Sequence, residues 1–117
     1  MTHMKIPYSI EELNKAQIEL IRKNDFTGDN VYLRPFAFLG YGVMGVYHKD
    51  APVVTAIAAW EWGAYLGEEG MKKGIKLKIS SINRPSNTSG MGKAKAAANY
   101  LNSQMANYEA IDCGYEE

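Results

Sequence analysis

The sequence predicts an α+β fold, with a helix near each end of the chain and strands between them. Apolar residues recur every three or four positions after Ser9 and again after Lys93, which is the period of an amphipathic helix. Residues 31–39 and 53–60 are short, apolar and bounded by turn residues, as strands are. A chain of 117 residues, 46% apolar and 22% charged, is long enough for a globular unit with its own core.

The first helix is predicted over residues 9–24. Ser9 and Glu12 have the spacing of a capping box, in which each side chain bonds the backbone N–H of the other residue. Apolar residues then recur at helical spacing, namely Ile10, Leu13, Ala16, Leu20 and Ile21. The next segment, residues 28–30, has the composition of a turn.

The strand predicted over residues 31–39 contains Pro35, which restricts it to a sheet edge, a bulge or a strand end. The period of two places Tyr32, Arg34 and Phe36 on one face, together with Phe38. An arginine among rings either stacks its guanidinium as structural filler or offers two N–H groups to a carboxylate. The sequence alone favours the filler and leaves the carboxylate site open.

The middle of the chain is rich in glycine. Three glycines in residues 40–46 predict a mobile turn, because their spacing is not that of a dinucleotide-binding loop. Residues 53–60 are apolar almost throughout, which predicts a strand buried, or nearly so, on both faces. The glycines and aromatic rings of residues 61–70 predict a hinge or a domain boundary.

Alternation in residues 75–80 predicts that Lys76 and Lys78 face water while the apolar residues face a core. A loop follows over residues 80–92, and the last helix is predicted over residues 93–112, ending near Gly114. Lys95 would lie in its first turn, where the helix dipole would lower the pKa of the amine, as a nucleophilic lysine requires. The expected apolar stripe of this helix consists of Ala94, Ala98, Leu101, Met105 and Tyr108.

The composition excludes several classes of site. Cys113 is the only cysteine, so no internal disulfide forms, and with two histidines we expect no metal site. No apolar run approaches the ~20 residues of a membrane-spanning helix, and the first residues lack the apolar stretch of a secretory signal. We therefore expect a cytoplasmic protein that binds no membrane.

Charge is distributed unevenly along the chain. Thirteen basic and thirteen acidic residues balance, yet residues 71–108 contain seven basic residues and no acidic one. One hypothesis is therefore a non-catalytic fragment that binds phosphates or RNA through residues 72–95. Those residues contain no aromatic ring, whereas proteins that bind single strands combine rings with positive charge. We therefore expect no nucleic acid partner.

Four motifs occur in an order and spacing that resemble those of the branched-chain amino acid aminotransferases. They are VYLRP at residues 31–35, GYGVMG at 40–45, WGAYLG at 62–67 and KAKAAANYLNS at 93–103. The resemblance covers nearly the whole chain, although a typical member of the family is more than twice as long. It implies an internal fragment of the fold-type IV aminotransferase fold, in which residues 1–70 end the small domain and residues 71–117 begin the large domain.

The resemblance assigns the cofactor-binding residues. Lys95 matches the lysine that forms a Schiff base with pyridoxal 5'-phosphate, and Tyr100 matches the tyrosine that hydrogen-bonds the phenolic oxygen of the cofactor. Five residues of ideal helix rotate by about 500°, which leaves these two side chains about 140° apart. Both side chains can therefore flank one ring only if the helix begins irregularly.

The resemblance also assigns substrate-binding residues. Tyr32 and Arg34 match a pair that lies beside the substrate carboxylates. Phe36, Trp62 and Tyr65 match aromatic residues of the pocket for the substrate side chain. In this interpretation Arg34 binds the side-chain carboxylate of glutamate, so that one pocket accepts both substrates.

Two further features follow from the resemblance. Met44 and Val46 match a loop that reaches into the site of the neighbouring subunit, which implies a homodimer or a higher homo-oligomer. The family's phosphate-binding arginine is expected upstream of Met1, and the glutamate that pairs with the pyridine nitrogen is expected beyond Glu117. The chain alone is therefore expected to be incomplete for activity.

The implied activity is the transamination of leucine, isoleucine and valine with 2-oxoglutarate, which yields 2-oxo acids and glutamate and belongs to branched-chain amino acid biosynthesis. The small-molecule partners are thus amino acids and 2-oxo acids. D-amino-acid aminotransferases and aminodeoxychorismate lyases have the same fold and are the nearest alternatives. The motifs at residues 32–34 and 62–67 favour the branched-chain group.

Overall fold

The computed structural model describes residues 3–28, 30–42, 44–47, 49–88 and 92–117. Asp29 and Val43, which belong to predicted turns, lie outside this set, as do residues 89–91 of the predicted loop. Contacts divide the chain into one unit that ends at Tyr65 and a second unit from Leu66 to Glu117. The elements in order are α1 (Ile10–Lys23), β1 (Val31–Leu39), β2 (Val53–Glu61), α2 (Gly67–Lys73), a 3₁₀ turn (Ala97–Asn99) and α3 (Tyr100–Asp112).

Helix α1 begins at the predicted capping box. The Ser9 hydroxyl accepts from the Glu12 backbone N–H at 3.2 Å, and the Glu12 carboxylate accepts from the Ser9 backbone N–H at 2.7 Å. These bonds, that from the Ser9 backbone first, lower the pKa of Glu12. The predicted helix and its N-cap are therefore confirmed.

Strands β1 and β2 form an antiparallel pair in the unit that ends at Tyr65. The register runs from Val31 opposite Glu61 to Leu39 opposite Val53. Pro35 is tolerated because β1 has a free edge in this two-stranded sheet. The expectation of full burial on both faces for residues 53–60 was wrong, because no residue of β2 is fully buried. Helix α1 contacts β2, whereas the face that carries Arg34 and Phe36 is exposed.

The second unit begins with the short helix α2, which the sequence did not predict. Residues 75–80 form no assigned strand, although the Lys78 N–H donates to the Glu117 carbonyl at 2.8 Å and the Glu116 N–H donates to the Lys76 carbonyl at 3.0 Å. The predicted orientation was also wrong, because Ile79 is 97% exposed while the side chain of Lys78 is 27% exposed. Lys78 turns towards α3 because a carboxylate on that helix binds it.

Helix α3 begins later than predicted. Residue Ala96 has an extended backbone (φ −87°, ψ 138°), and the 3₁₀ turn separates it from Tyr100. Lys95 therefore lies before the helix and not in its first turn as predicted, whereas the expected irregular start is confirmed. The helix ends at Asp112, Cys113 is its C-cap, and Gly114 follows with a φ of 81°.

The predicted apolar stripe of the last helix was wrong. Leu101, Met105 and Tyr108 are all largely exposed, and Ala110 is the one fully buried residue in the part of the chain that the structure describes. The side of α3 that meets residues 78–83 instead carries polar side chains that bond to that segment. Across the described ranges, no helix has the length and hydropathy needed to cross a membrane.

Candidate active site

The amine of Lys95 and the phenol of Tyr100 lie together in the second unit. The distance from Lys95 Nζ to Tyr100 Oη is 2.7 Å, and Nζ lies 5.2 Å from the centre of the tyrosine ring. The extended backbone at Ala96 and the 3₁₀ turn bring these side chains to the same side, which a continuous helix would not do. Both residues are exposed, so the pair is accessible to a small molecule.

A carboxylate-centred cluster joins α3 to residues 78–81 in the same unit. Glu109 accepts from the Ser80 hydroxyl at 2.5 Å, from the Ser81 backbone N–H at 2.9 Å and from Lys78 Nζ at 2.9 Å. These bonds, that from Ser80 first, lower the pKa of Glu109 to about 2. Glu109 and then Cys113, whose sulfur lies 3.1 Å from the amine, raise the pKa of Lys78. None of the predicted site residues belongs to this cluster. It attaches residues 78–81, which precede Lys95 in the chain, to α3.

Arg34 lies beside a pair of touching aromatic rings on the open face of the sheet. Its guanidinium carbon is 5.2 Å from the centre of the Tyr32 ring and 5.3 Å from that of Trp60. One guanidinium nitrogen also donates to the Tyr32 hydroxyl at 3.4 Å. The structure therefore gives Arg34 the stacking expected of structural filler, yet the residue is exposed and can still present N–H groups to a carboxylate.

Trp60 was not among the residues that the sequence analysis singled out. It lies opposite Tyr32 in the register, and the two ring centres are 4.8 Å apart. The period of two along β2 places Trp60 on the same face as Ala58 and Ala56. This periodicity was a usable signal, but the pairing partner of β2 had to be known before Trp60 could be placed beside Arg34.

Three of the predicted substrate-binding residues, Tyr32, Trp62 and Tyr65, surround one hollow. Tyr32 and Trp62 have ring centres 4.7 Å apart, and those of Trp62 and Tyr65 are 6.1 Å apart. The hollow beside them measures about 430 Å³ and is also lined by Asn30 and Val31. Rings around an open hollow offer an apolar surface to a small aliphatic group.

Phe36 does not line this hollow. It stacks on Phe38 with ring centres 5.9 Å apart and is 46% exposed. Met44 and Val46, the predicted partner-subunit loop, are 99% and 97% exposed and also lie outside the lining of the hollow. The structure therefore groups Tyr32, Arg34, Trp62 and Tyr65 in the first unit, and it groups Lys95 with Tyr100 in the second.

No protein-family model matches the chain. Curated relatives do, and one is the branched-chain-amino-acid aminotransferase of Pseudomonas aeruginosa, which is 41% identical over 115 residues, 98% of this chain and 37% of the relative. The enzyme of the same name from Escherichia coli is 41% identical over 117 residues, 96% of this chain and 36% of the relative. A probable branched-chain-amino-acid aminotransferase of Aquifex aeolicus is 35% identical over 114 residues.

A structural comparison agrees with the sequences. The crystal structure of the Escherichia coli branched-chain amino acid aminotransferase superimposes with a TM-score of 0.83 and 40% identity, covering 97% of this chain and 37% of that one. The fold is therefore the α+β fold of the fold-type IV aminotransferases. By sequence and structure the chain corresponds to part of a branched-chain amino acid aminotransferase, and it spans a little over a third of the length of the curated relatives it matches.

Proposed function

We propose that this chain serves the transamination of leucine, isoleucine and valine with 2-oxoglutarate, and that it does so as part of a longer enzyme. The observation that carries the proposal is the 2.7 Å contact between the Lys95 amine and the Tyr100 phenol. An amine that forms and releases a covalent bond must be accessible and held in one direction. Lys95 is exposed, and its contact with Tyr100 sets the direction. The names of the relatives support the reaction and its substrates.

The residues present fit pyridoxal 5'-phosphate. Lys95 supplies a primary amine for the aldehyde of the cofactor, and Tyr100 supplies a phenol within hydrogen-bond reach of that amine, where it can bond the ring oxygen. When bound, the cofactor supplies a ring that accepts the electron pair left on the substrate Cα. Lys95, once released by the incoming amino acid, would be the base that takes the proton from that carbon and passes it to the neighbouring carbon of the cofactor, and with 2-oxoglutarate it would carry out the same transfer in reverse.

Arg34 and the hollow, both in the first unit, would recognise the two kinds of substrate. The rings of Tyr32, Trp62 and Tyr65 bury the aliphatic side chain of the amino acid, which stabilises binding by about 1.5 to 3 kcal/mol. Arg34, held beside the rings of Tyr32 and Trp60, binds the second carboxylate of glutamate or 2-oxoglutarate. We include Phe36 in the pocket because it shares a sheet face with Arg34.

The oligomer and the domains are also part of the proposal. Met44 and Val46 are almost completely exposed, which suits side chains that complete the site of a neighbouring subunit in a homodimer or higher homo-oligomer. Residues 1–70 then belong to the small domain and residues 71–117 to the large one. The single exposed thiol of Cys113 fits a reducing, cytoplasmic setting.

The alternatives are less well supported. The curated relatives reported above are named as branched-chain enzymes, and none of those names is a D-amino-acid aminotransferase or an aminodeoxychorismate lyase. An RNA-binding role for residues 72–95 is opposed by ion pairs, because Lys73 pairs with Glu69 and Lys78 pairs with Glu109. Both cations are thereby neutralised in part.

Covalent labelling tests the proposal. The chain is mixed with pyridoxal phosphate, reduced with borohydride and mapped by mass spectrometry. We expect the label at Lys95, and we expect Lys95→Ala to abolish it. Lys93→Ala is the matched control, because it removes an exposed lysine two residues away and should leave the labelling unchanged. Label spread evenly over Lys72, Lys93 and Lys95 would contradict the proposal.

A further inference from the structure

Asn99 is hydrogen-bonded to both neighbours of Lys95. Its side-chain amide donates to the carbonyl of Ala94 at 2.8 Å, and its backbone N–H donates to the carbonyl of Ala96 at 3.0 Å. The residue is half-buried, so these bonds are partly shielded from water. Asn99 therefore closes a bend around the lysine and directly precedes Tyr100 in the chain.

This bend is what allows the amine to reach the phenol. In a continuous helix, side chains five residues apart point about 140° away from each other. Here the extended backbone of Ala96 brings the two side chains to the same side. Neither the 3₁₀ turn nor α3 begins with a side-chain cap. The amide of Asn99 supplies the side-chain bond that spans the bend and resists its conversion into helix.

We propose that Asn99 is a positioning residue, which holds the Lys95 amine against the Tyr100 phenol by spanning the bend at residues 94–99. The importance of this role for transamination rests on the proposed function. The role itself rests on the hydrogen bonds of Asn99 and Lys95. Asn99 contacts neither substrate nor cofactor in this proposal, and it acts through the direction that it gives to Lys95.

Competitive acetylation tests the role without any cofactor. The chain is treated with trace acetic anhydride over a range of pH, and the reaction of each lysine is measured by mass spectrometry. An amine held against the phenol must leave this hydrogen bond before it reacts, so Lys95 should react about two- to tenfold more slowly than the exposed Lys72 and Lys93. Asn99→Ala should bring the pH profile of Lys95 to that of these two reference lysines.

Two further variants make the result specific. Asn99→Leu keeps roughly the size of the side chain without adding a charge but cannot donate to the Ala94 carbonyl, so it should act as Asn99→Ala does. Asn102→Ala is the matched control. Asn102 also bonds a backbone carbonyl through its amide, that of Asn83 at 2.7 Å, and should leave the profile of Lys95 unchanged.

The outcomes separate this proposal from the proposed function. An unchanged Lys95 profile in both Asn99 variants would overturn it, as would an equal change in Asn102→Ala. A profile of Lys95 that already matches the reference lysines in the original chain would also overturn it, because no held amine would then exist. Labelling by pyridoxal phosphate and borohydride decides the proposed function independently, since acetylation needs no aldehyde.

Discussion

Arg34 fits both roles that the sequence left open, structural filler and carboxylate binding. The side chain stacks against Tyr32 and Trp60, as structural filler does, and remains exposed, as a binding residue must be. The two are compatible because a stacked guanidinium keeps its N–H groups in the plane of the fork. Stacking then restricts the rotamers of Arg34 before a carboxylate arrives, which reduces the entropy lost on binding.

Trp60→Leu tests this arrangement in a full-length enzyme that contains the chain. Loss of one stacking ring should raise the KM for 2-oxoglutarate about two- to fivefold, and the KM for leucine should change less. Steady-state kinetics with both substrates give the measurement. Phe38→Leu is the control. Phe38 is an aromatic residue on the same face of the sheet as Trp60, but it stacks on Phe36 and not on Arg34. An equal effect of both substitutions would show that Arg34 does not depend on its ring contacts.

At the scale of elements, local signals predicted the structure well. The capping box of α1 involves residues only three positions apart, so the sequence alone shows both partners. The strand β1 was predicted with its observed bounds, Val31–Leu39, despite Pro35. The irregular start of α3 was predictable only through the resemblance, which requires Lys95 and Tyr100 to flank one ring, and side chains five residues apart on a regular helix cannot do so.

The errors came from contacts between segments distant in the sequence. Alternation predicts that Lys78 and Ile79 lie on opposite faces but cannot say which face is covered. Glu109, 31 residues away from Lys78, determines that the face with Lys78 is covered, because it binds the amine. The Trp60 neighbour of Arg34 was missed for the same reason, since it depends on strand pairing.

Glu109 should make the attachment of α3 dependent on pH. Its pKa is about 2 in the folded chain, against an ordinary value of 4.5. The unfolded carboxylate therefore takes up a proton first as the pH falls, so the stabilisation present above about pH 4.5 is lost towards pH 2. We expect the urea midpoint of α3 unfolding to fall between pH 7 and pH 3, and we expect Glu109→Gln to flatten this decrease.

Hydrogen exchange of the α3 amides in urea is the measurement for Glu109. Glu69→Gln serves as the control, because Glu69 forms an exposed pair with Lys73 in which the side chains are 87% and 75% accessible. Such pairs contribute little to stability. If Glu69→Gln flattened the profile as much as Glu109→Gln, the pH dependence would not come from the bonds that Glu109 makes.

At the scale of the whole molecule, large apolar side chains remain uncovered in both units. Tyr41, Met44 and Val46 are 97% or more exposed in the first unit, and Ile79 is 97% exposed in the second. Exposed apolar surface of this kind marks a place where other polypeptide packs. For the segment that contains Met44 and Val46, we have proposed that this polypeptide is a second copy of the enzyme.

Heterodimers of two defective subunits test that proposal. One subunit carries Lys95→Ala and the other carries Val46→Asp, and the pair is purified through two different tags from full-length enzyme. If the loop of each subunit completes the site of its neighbour, this heterodimer has one intact site and about half the activity of the normal dimer. A heterodimer with both substitutions in one subunit has no intact site, because its remaining Lys95 faces the altered loop. Equal activities of the two heterodimers would contradict the shared site, since only a loop that crosses the interface makes the two arrangements differ.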